Sequence, residues 1–578
     1  MRLAFRLEIA PSGWTTTETM ADEEDSTFTF AATRLRSLAP IIEIGERGCV
    51  VGLLFRRQIP TVRVSGLDDS ERKRIVETQG RALLSDYWGA YIAVLRCADG
   101  SVSVLRDPSG MMTCYMRRNA DRVTLASDLT TIAAPGHAVI DYESLARMLA
   151  GIDLLGRRAG IAGVEELLPG ERLVVNAAGT RVEQAWSPWD HVHSPKGLSF
   201  DSAAHALRET LKGCIGAWST CFDHILVGVS GGLDSSTVAA ALGPRTPGMR
   251  CLTMVEPGTT GDERRYVQAL IKKLGTQLET SLYDMEAVDI RQPVLPHFPL
   301  PFAAHYFPAI AAAHSGINAK WPVDAYFSGN GGDNIFCSLR SAAPLADHIL
   351  AHGVVPSVIG TARDVADLTG AGMVEVIRKG WDRIRRRRAG HRVQHDLMGL
   401  GPAGRAAALS GHDPHPWLFA PPRAFPGKAA HIALLARSQK SIELYPRATT
   451  APQITPLLSQ PIVELCLSIP TWYWVRGGRD RAVARAAVAD LLPALIVQRR
   501  TKGGPTGFLR RVFNAQGDAA IRMLADGRLI GAGVLDPDWL QRVRTESWKD
   551  DGRHLRLLAF AAAEAWVRWW EEGSAPSA

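Results

Sequence analysis

One short run limits the folds open to this chain more than any other feature. It is Leu226 to Ser236, LVGVSGGLDSS. An apolar strand signal runs directly into Ser230-Gly231-Gly232-Leu233-Asp234-Ser235, and a helix signal opens behind it. Glycines let the backbone approach a ligand closely and take positive φ. Loop N–H groups, serine hydroxyls and a helix N-terminus then all face an anion. Asp234 by itself would repel phosphate, so it makes sense as a ligand of Mg²⁺ bridging phosphate oxygens. The plain alternative is a Gly-Gly turn whose Asp and Ser cap the helix. The chain has no GxxxxGK(S/T) run, which excludes the kinase-type phosphate loop.

The surroundings of this run read as a parallel α/β sheet. The expected strands are Asp223–Val229, Cys251–Val255, Gln277–Tyr283 and Val323–Phe327. Between them lie a short helix, Ser235–Leu242, stopped by Gly243-Pro244, and an amphipathic one, Glu263–Leu274, ended by Gly275. Strands alternating with helices imply helices on both faces and ligands at the carboxyl ends of the strands. From about Leu345 the chain turns helical, and its last helix, His554–Trp570, is expected to pack on the core. The basic run Arg385–Arg388 reads as a solvated helix face.

The first half is β-rich instead. Ala90–Arg96 and Ser101–Leu105 flank Asp99-Gly100, a hairpin signal. Arg122–Ala126 and the ERLVV run after Pro169-Gly170 are further strands, and the acidic Asp22–Asp25 is a solvated loop. A Ser/Pro/Gly/His-rich stretch follows Trp186-Ser187-Pro188-Trp189 and runs to about Ser199. The expected domains are therefore 1–195 and 196–578.

Composition closes off other classes. The 578 residues are 46% hydrophobic and 22% charged, which excludes collagen-like and wholly disordered chains. A net charge of +7 fits an anionic ligand such as a nucleotide but is too dilute for a nucleic-acid binder. The eight cysteines form no CxxC and no zinc spacing, so buried, reduced thiols are expected. MRLAFRLEIAPSG lacks a signal-peptide core, and a cytoplasmic location is the default. The uncharged stretch His297–Ile317 is long enough for a membrane span. Its Pro299, Pro301, Pro308 and three histidines argue for a buried or substrate-lining loop.

The SGGLDS loop resembles that of the ATP-pyrophosphatase superfamily. Three further pieces, CLTMVEPG with Gly261-Asp262-Glu263, Tyr326-Phe327-Ser328-Gly329-Asn330-Gly331-Gly332-Asp333, and Gln498-Arg499-Arg500-Thr501-Lys502-Gly503-Gly504, are similar to the synthetase domain of class B asparagine synthetases. The resemblance implies ATP and Mg²⁺. It implies Asp234 and Asp333 as metal ligands, with Lys502 beside the α-phosphate. Val227, Val229, Ser230, Gly231, Gly232, Ser235, Ser236, Thr253, Met254, Ser328 and Gly329 become nucleotide or pyrophosphate contacts. Two carboxylates holding Mg²⁺ and a lysine would stabilise the charge that adenylation develops.

The first half resembles the glutaminase domain of the same family, an Ntn-type β-sandwich. The matching pieces are Asp86-Tyr87-Trp88-Gly89-Ala90-Tyr91, Arg106-Asp107-Pro108-Ser109-Gly110, Leu125-Ala126-Ser127-Asp128 and Leu168-Pro169-Gly170. The family's nucleophile is an amino-terminal cysteine. Here Arg2 follows Met1 and the first cysteine is Cys49, so this domain is expected to be a scaffold or peptide-docking surface.

Without glutamine hydrolysis the nucleophile is an amine of the substrate, as in β-lactam synthetases and lasso peptide cyclases. Asn330 stands where asparagine synthetases carry Glu and β-lactam synthetases Tyr. It cannot act as a base, though it can orient a substrate carbonyl or amine. Gly331-Gly332-Asp333 and His415-Pro416-Trp417-Leu418 are similar to lasso cyclases; His415 and Trp417 also fit a core Trp beside a turn. That resemblance implies adenylation of an Asp or Glu side chain of a core peptide, then attack by its α-amine to close a macrolactam. It implies a precursor peptide, a leader peptidase and a leader-binding protein as partners, and neither nucleic acid nor membrane. The alternatives are a β-lactam synthetase relative, an ammonia-dependent asparagine synthetase, and a catalytically silent peptide scaffold. Phe298, Phe302, Tyr306 and Phe307 are expected either to wall a wide peptide cavity or to be plain core.

Overall fold

A computed structural model describes residues 1–10, 26–30, 32–58, 61–151, 156–243, 246, 248–256, 262–387, 395–410, 414–501, 503–545 and 553–573. The chain is an α/β protein with antiparallel sheets in its first half and a parallel sheet in its second.

The first half builds two six-stranded antiparallel sheets. One runs in the order Val164–Glu166, Tyr115–Arg118, Val123–Ala126, Phe5–Ile9, Thr33–Ser37, Ser26–Phe30. The other runs Gly179–Gln184, Glu171–Asn176, Val102–Arg106, Tyr87–Arg96, Gly48–Arg56, Ile41–Glu43. Phe5–Ile9 alternates buried and less buried residues, as a strand with one covered face does. Gly48–Arg56 and Tyr87–Arg96 are instead buried along nearly their whole length, so both of their faces are covered. One covering is the second half of the chain. Trp218, on the helix Phe200–Ser219, meets the stacked pair Phe55–Trp88 edge-on, with centroids at 4.9 and 5.8 Å. The Ser199–Ser202 capping box starts that helix directly after the Ser/Pro-rich stretch. The hydrophobic core runs on across the stretch: residues from Leu3 to Ile496 belong to one cluster.

The second half holds a five-stranded parallel sheet in the order Gln277–Leu282, Met249–Val255, Ile225–Gly228, Ala325–Phe327, Gln453–Ile454. Chain order reverses between Ile225–Gly228 and Ala325–Phe327. Such a switch point leaves a crevice at the carboxyl ends of the strands.

Two expectations are corrected. The helix behind the glycines starts at Leu233, so Asp234 sits in its first turn rather than in the loop. Phe307–Asn318 is a helix with Pro308 at its start, where a missing N–H costs nothing, so only the first part of His297–Ile317 is loop. Asp22–Asp25 and Arg388 lie outside the described residues. Among the described residues no helix is long and apolar enough to cross a membrane.

Candidate active site

Two turns from neighbouring strands build the site. The first leaves Ile225–Gly228 through Val229, Ser230, Gly231 and Gly232 into the helix Leu233–Leu242. The Ser230 amide donates to Ser235 Oγ at 3.2 Å, which curls the loop over the helix start. The second leaves Ala325–Phe327 through Ser328, Gly329, Asn330 and Gly331 into the short helix Gly332–Ile335. The turns touch through glycine. A Cβ on Gly329 would lie 2.3 Å from the Ser235 nitrogen, and one on Gly332 would lie 2.3 Å from Asp234 Cβ. No larger residue allows this nesting.

The nesting brings Asp234 and Asp333 to one cation. Arg481 Nη1 is 2.9 and 2.8 Å from the two Asp234 oxygens and 2.5 Å from Asp333 Oδ1. Its Nε donates to Asp480 at 2.7 Å, and Asp480 also accepts from Ser338 Oγ at 2.7 Å. Burial alone would depress the Arg481 guanidinium, but Asp234, Asp480 and Asp333 outweigh it and hold it above its usual range. The Asp234 side chain is 9% exposed and the Asp333 side chain 44%. Two carboxylates already sharing one positive charge fit a divalent cation, and Mg²⁺ commonly takes one or two carboxylates with substrate phosphates completing its shell. Among the described residues no cluster of three or more His, Cys, Asp or Glu has metal-holding geometry.

A third segment closes the crevice. Arg499 lies over the Tyr266 ring at 3.9 Å, donates to the Gly231 carbonyl at 3.1 Å, and pairs with Glu263 at 2.5 Å. Glu263 also accepts from the Gly503 amide at 3.0 Å. Lys502 lies outside the described residues; its neighbours Thr501 and Gly503 line the cavity.

That cavity measures about 970 Å³. Its walls include Val229, Ser230, Gly232, Asp234, Ser235, Met254, Ser328, Gly329, Asn330 and Asp333. Val227, Gly231, Ser236 and Thr253 are not among them. Strand alternation explains two: Leu226 and Gly228 face the cavity, so Val227 faces the core, and Leu252 and Met254 likewise turn Thr253 away. Gly231, at φ +63°, spends its carbonyl on Arg499, and Ser236 is fully buried on the inner side of its helix. The Asn330 amide donates to Ser328 Oγ at 3.0 Å, while its side-chain oxygen accepts from the Gly331 amide at 3.2 Å.

Phe302, Tyr306 and Phe307 form an aromatic wall of the same cavity. His314 extends it, stacked flat on Tyr326 at 4.4 Å with Nδ1 2.6 Å from the Tyr445 hydroxyl. Burial pushes His314 down to about 4, so it is neutral at pH 7. Phe298 instead lines a second cavity of about 390 Å³ between the two halves, and Phe302 and Arg437 border both. His415-Pro416-Trp417-Leu418 is absent from the wall of the large cavity. Trp417 packs edge-on against Trp186, and its carbonyl accepts from Trp189 Nε1 at 2.8 Å, so the motif serves the core between the halves.

Cys49 is fully buried in the strand Gly48–Arg56. Burial, helped by Glu43, pushes its thiol up to about 12, which makes it a poor nucleophile.

Arg481, Asp480, Arg499 and Glu263 were not assigned roles from sequence. Arg481 and Asp480 sit in GGRDRAVAR, which reads like any charged helix start.

The asparagine synthase family model matches residues 206–568. No curated protein matches the chain. Among solved structures, an allosteric regulatory enzyme of purine biosynthesis is 13% identical, with 51% of this chain and 76% of that one covered and a TM-score of 0.18. A glutamine phosphoribosylpyrophosphate amidotransferase from B. subtilis, complexed with ADP and GMP, is 12% identical, with 57% and 84% covered and a TM-score of 0.19. Superpositions that loose carry no argument about function.

Proposed function

The chain belongs to the asparagine synthase family, whose domain points to ATP-dependent amide-bond formation, and we propose that it is a lasso-type macrolactam ligase. In this reading ATP is a co-substrate. An Asp or Glu side-chain carboxylate of a core peptide attacks the α-phosphorus, pyrophosphate leaves, and an acyl-adenylate forms. The peptide's own α-amine then attacks the activated carbonyl, giving an isopeptide bond and AMP.

The observation that carries this reading is the nesting of the two glycine turns, which brings Asp234 and Asp333 to one cation in the wall of a cavity of about 970 Å³ that also has an aromatic wall. The Ser230–Ser235 turn, closed by the Ser230 amide on Ser235 Oγ, lines the cavity and would offer its hydroxyls and remaining amides to pyrophosphate. Asp234 and Asp333 would hold Mg²⁺, which supplies charge neutralisation on the leaving pyrophosphate. Lys502 is assigned the α-phosphate. Asn330, its oxygen accepting from Gly331, would orient a carbonyl through its NH₂ group. A cavity of this size suits a nucleotide together with the reacting segment of a peptide, and holding amine and acyl group together is where much of the rate would come from. The inert Cys49 supports a substrate amine over ammonia released from glutamine. A leader peptidase and a leader-binding protein belong to this proposal as partners.

The test is mass spectrometry of a leaderless candidate core peptide incubated with ATP, Mg²⁺ and the protein, with AMP and pyrophosphate assayed alongside. The expected result is ATP-dependent loss of one water, abolished by Asp234→Ala. AMP release with every peptide mass unchanged, across peptides carrying Asp or Glu at different ring positions, would overturn the macrolactam reading and leave an adenylating enzyme with another nucleophile.

A further inference from the structure

Arg481 contacts the two acids in an unusual way. An Arg–carboxylate fork normally sets two nitrogens against two oxygens. Here a single nitrogen, Nη1, meets both oxygens of Asp234 at 2.9 and 2.8 Å and Asp333 Oδ1 at 2.5 Å. That is how a small cation sits between two acid ligands. The guanidinium does not arrive there by chance. Nε is anchored on Asp480 at 2.7 Å, Asp480 is fixed by Ser338 Oγ, and the Arg481 backbone is left-handed, at φ 55° and ψ 41°, where side chains are rarely found. The side chains of Arg481 and Asp234 are only 10% and 9% exposed. Without a cation, the two neighbouring carboxylates would repel each other at low dielectric.

We infer that Arg481 is an internal stand-in for the divalent cation. It offsets part of the charge of the Asp234–Asp333 pair while nucleotide is absent and releases the pair when the metal arrives with phosphate. Its loss of two carboxylates is then offset by phosphate oxygens, while Asp480 keeps it in the site. The inference rests on reading Asp234 and Asp333 as the metal pair. Its consequence is coupling: metal binds poorly alone and well with nucleotide.

Titration of the full-length protein with Mn²⁺, followed by electron paramagnetic resonance of the free ion, tests this with and without an α,β-methylene analogue of ATP. Wild type is expected to bind Mn²⁺ weakly alone and about tenfold or more tighter with the analogue. Arg481→Gln is expected to bind Mn²⁺ about tenfold tighter than wild type without the analogue, and to lose most of the coupling. Asp234→Asn in the Arg481→Gln background should remove that binding, which locates the ion. A folded Arg481→Gln protein whose Mn²⁺ affinity matches or falls below wild type overturns the stand-in role while leaving the metal pair intact. No Mn²⁺ binding by any variant, even with the analogue, overturns the metal pair and the inference together. Should Arg481→Gln not fold, Arg481→Met decides. It keeps an extended side chain without the charge, so Mn²⁺ binding about tenfold tighter than wild type is expected, and parity overturns the idea.

Discussion

Glu263 and Arg499 are 236 residues apart in the chain and 2.5 Å apart in the fold. The same carboxylate oxygen accepts from the Gly503 amide, so one acid ties the start of the helix Arg264–Leu274 to the segment on either side of Lys502. Arg499 in turn reaches the carbonyl of Gly231 inside the first glycine turn. Glu263→Gln keeps the shape but removes the charge from this tie. It is expected to lower AMP formation by about tenfold or more, as small losses of positioning do, while circular dichroism stays unchanged. A variant with wild-type turnover would show that the tie is dispensable.

Gly329→Ala tests the nesting of the turns. The added methyl would lie 2.3 Å from the Ser235 nitrogen, a backbone atom that cannot swing aside. Loss of ATP binding by about a hundredfold is expected from the resulting displacement, with the thermal transition largely retained because both turns lie at the rim of the sheet. Gly360→Ala, in the helix Pro356–Thr369 where an added Cβ meets nothing within 4 Å, is the matched control and should bind ATP normally.

Phe302 and Tyr306 separate peptide handling from nucleotide handling. Both line the cavity, away from the carboxylate pair in the chain. Phe302→Ala or Tyr306→Ala should reduce peptide cyclisation by about tenfold or more through lost packing area. ATP binding, read by equilibrium dialysis, should hold. Equal loss of both would place these rings in the core and not in a peptide subsite.

His297 gives the protein a signed pH response. The ring is buried with neither nitrogen hydrogen-bonded, and burial, then Arg447, pushes it down to about 3. Unfolded histidine titrates near 6.5. Between those values the unfolded chain holds the extra proton, so stability rises with pH, is fully present above about 6.5, and is lost as pH falls toward 3. His415 and His431, also pushed down to about 3 mainly by burial, act in the same direction. His297→Phe should reduce the slope of unfolding free energy between pH 4 and 6 by about 1.4 kcal/mol per pH unit. Urea melts at three pH values measure it, and an unchanged slope would mean that His297 is protonated in the fold.

The nucleotide-loop run was legible because its signals are local. An apolar strand, two glycines and a helix start have to be contiguous to work, so the strand, the glycine turn and the helix behind it could be read from spacing, although the helix begins at Leu233, two residues before the spacing placed it. The hairpin about Asp99-Gly100 was readable for the same reason. Side-chain direction was partly legible: strand alternation, once the register is known, turns Val227 and Thr253 away from the cavity.

What the sequence determined, then, was the strand, turn and helix around the two glycines and the α/β class, since both rest on residues adjacent in the chain. The tertiary structure decided which distant groups meet there. Arg481 joins Asp234 across 247 positions, and Glu263 joins Arg499 across 236. Ion pairs of that span depend on sheet order and loop closure, which leave no periodic trace in composition or spacing. The same holds for His415 and Trp417: their residue types suit a site or a core equally, and only the packing of Trp417 against Trp186 put them in the core.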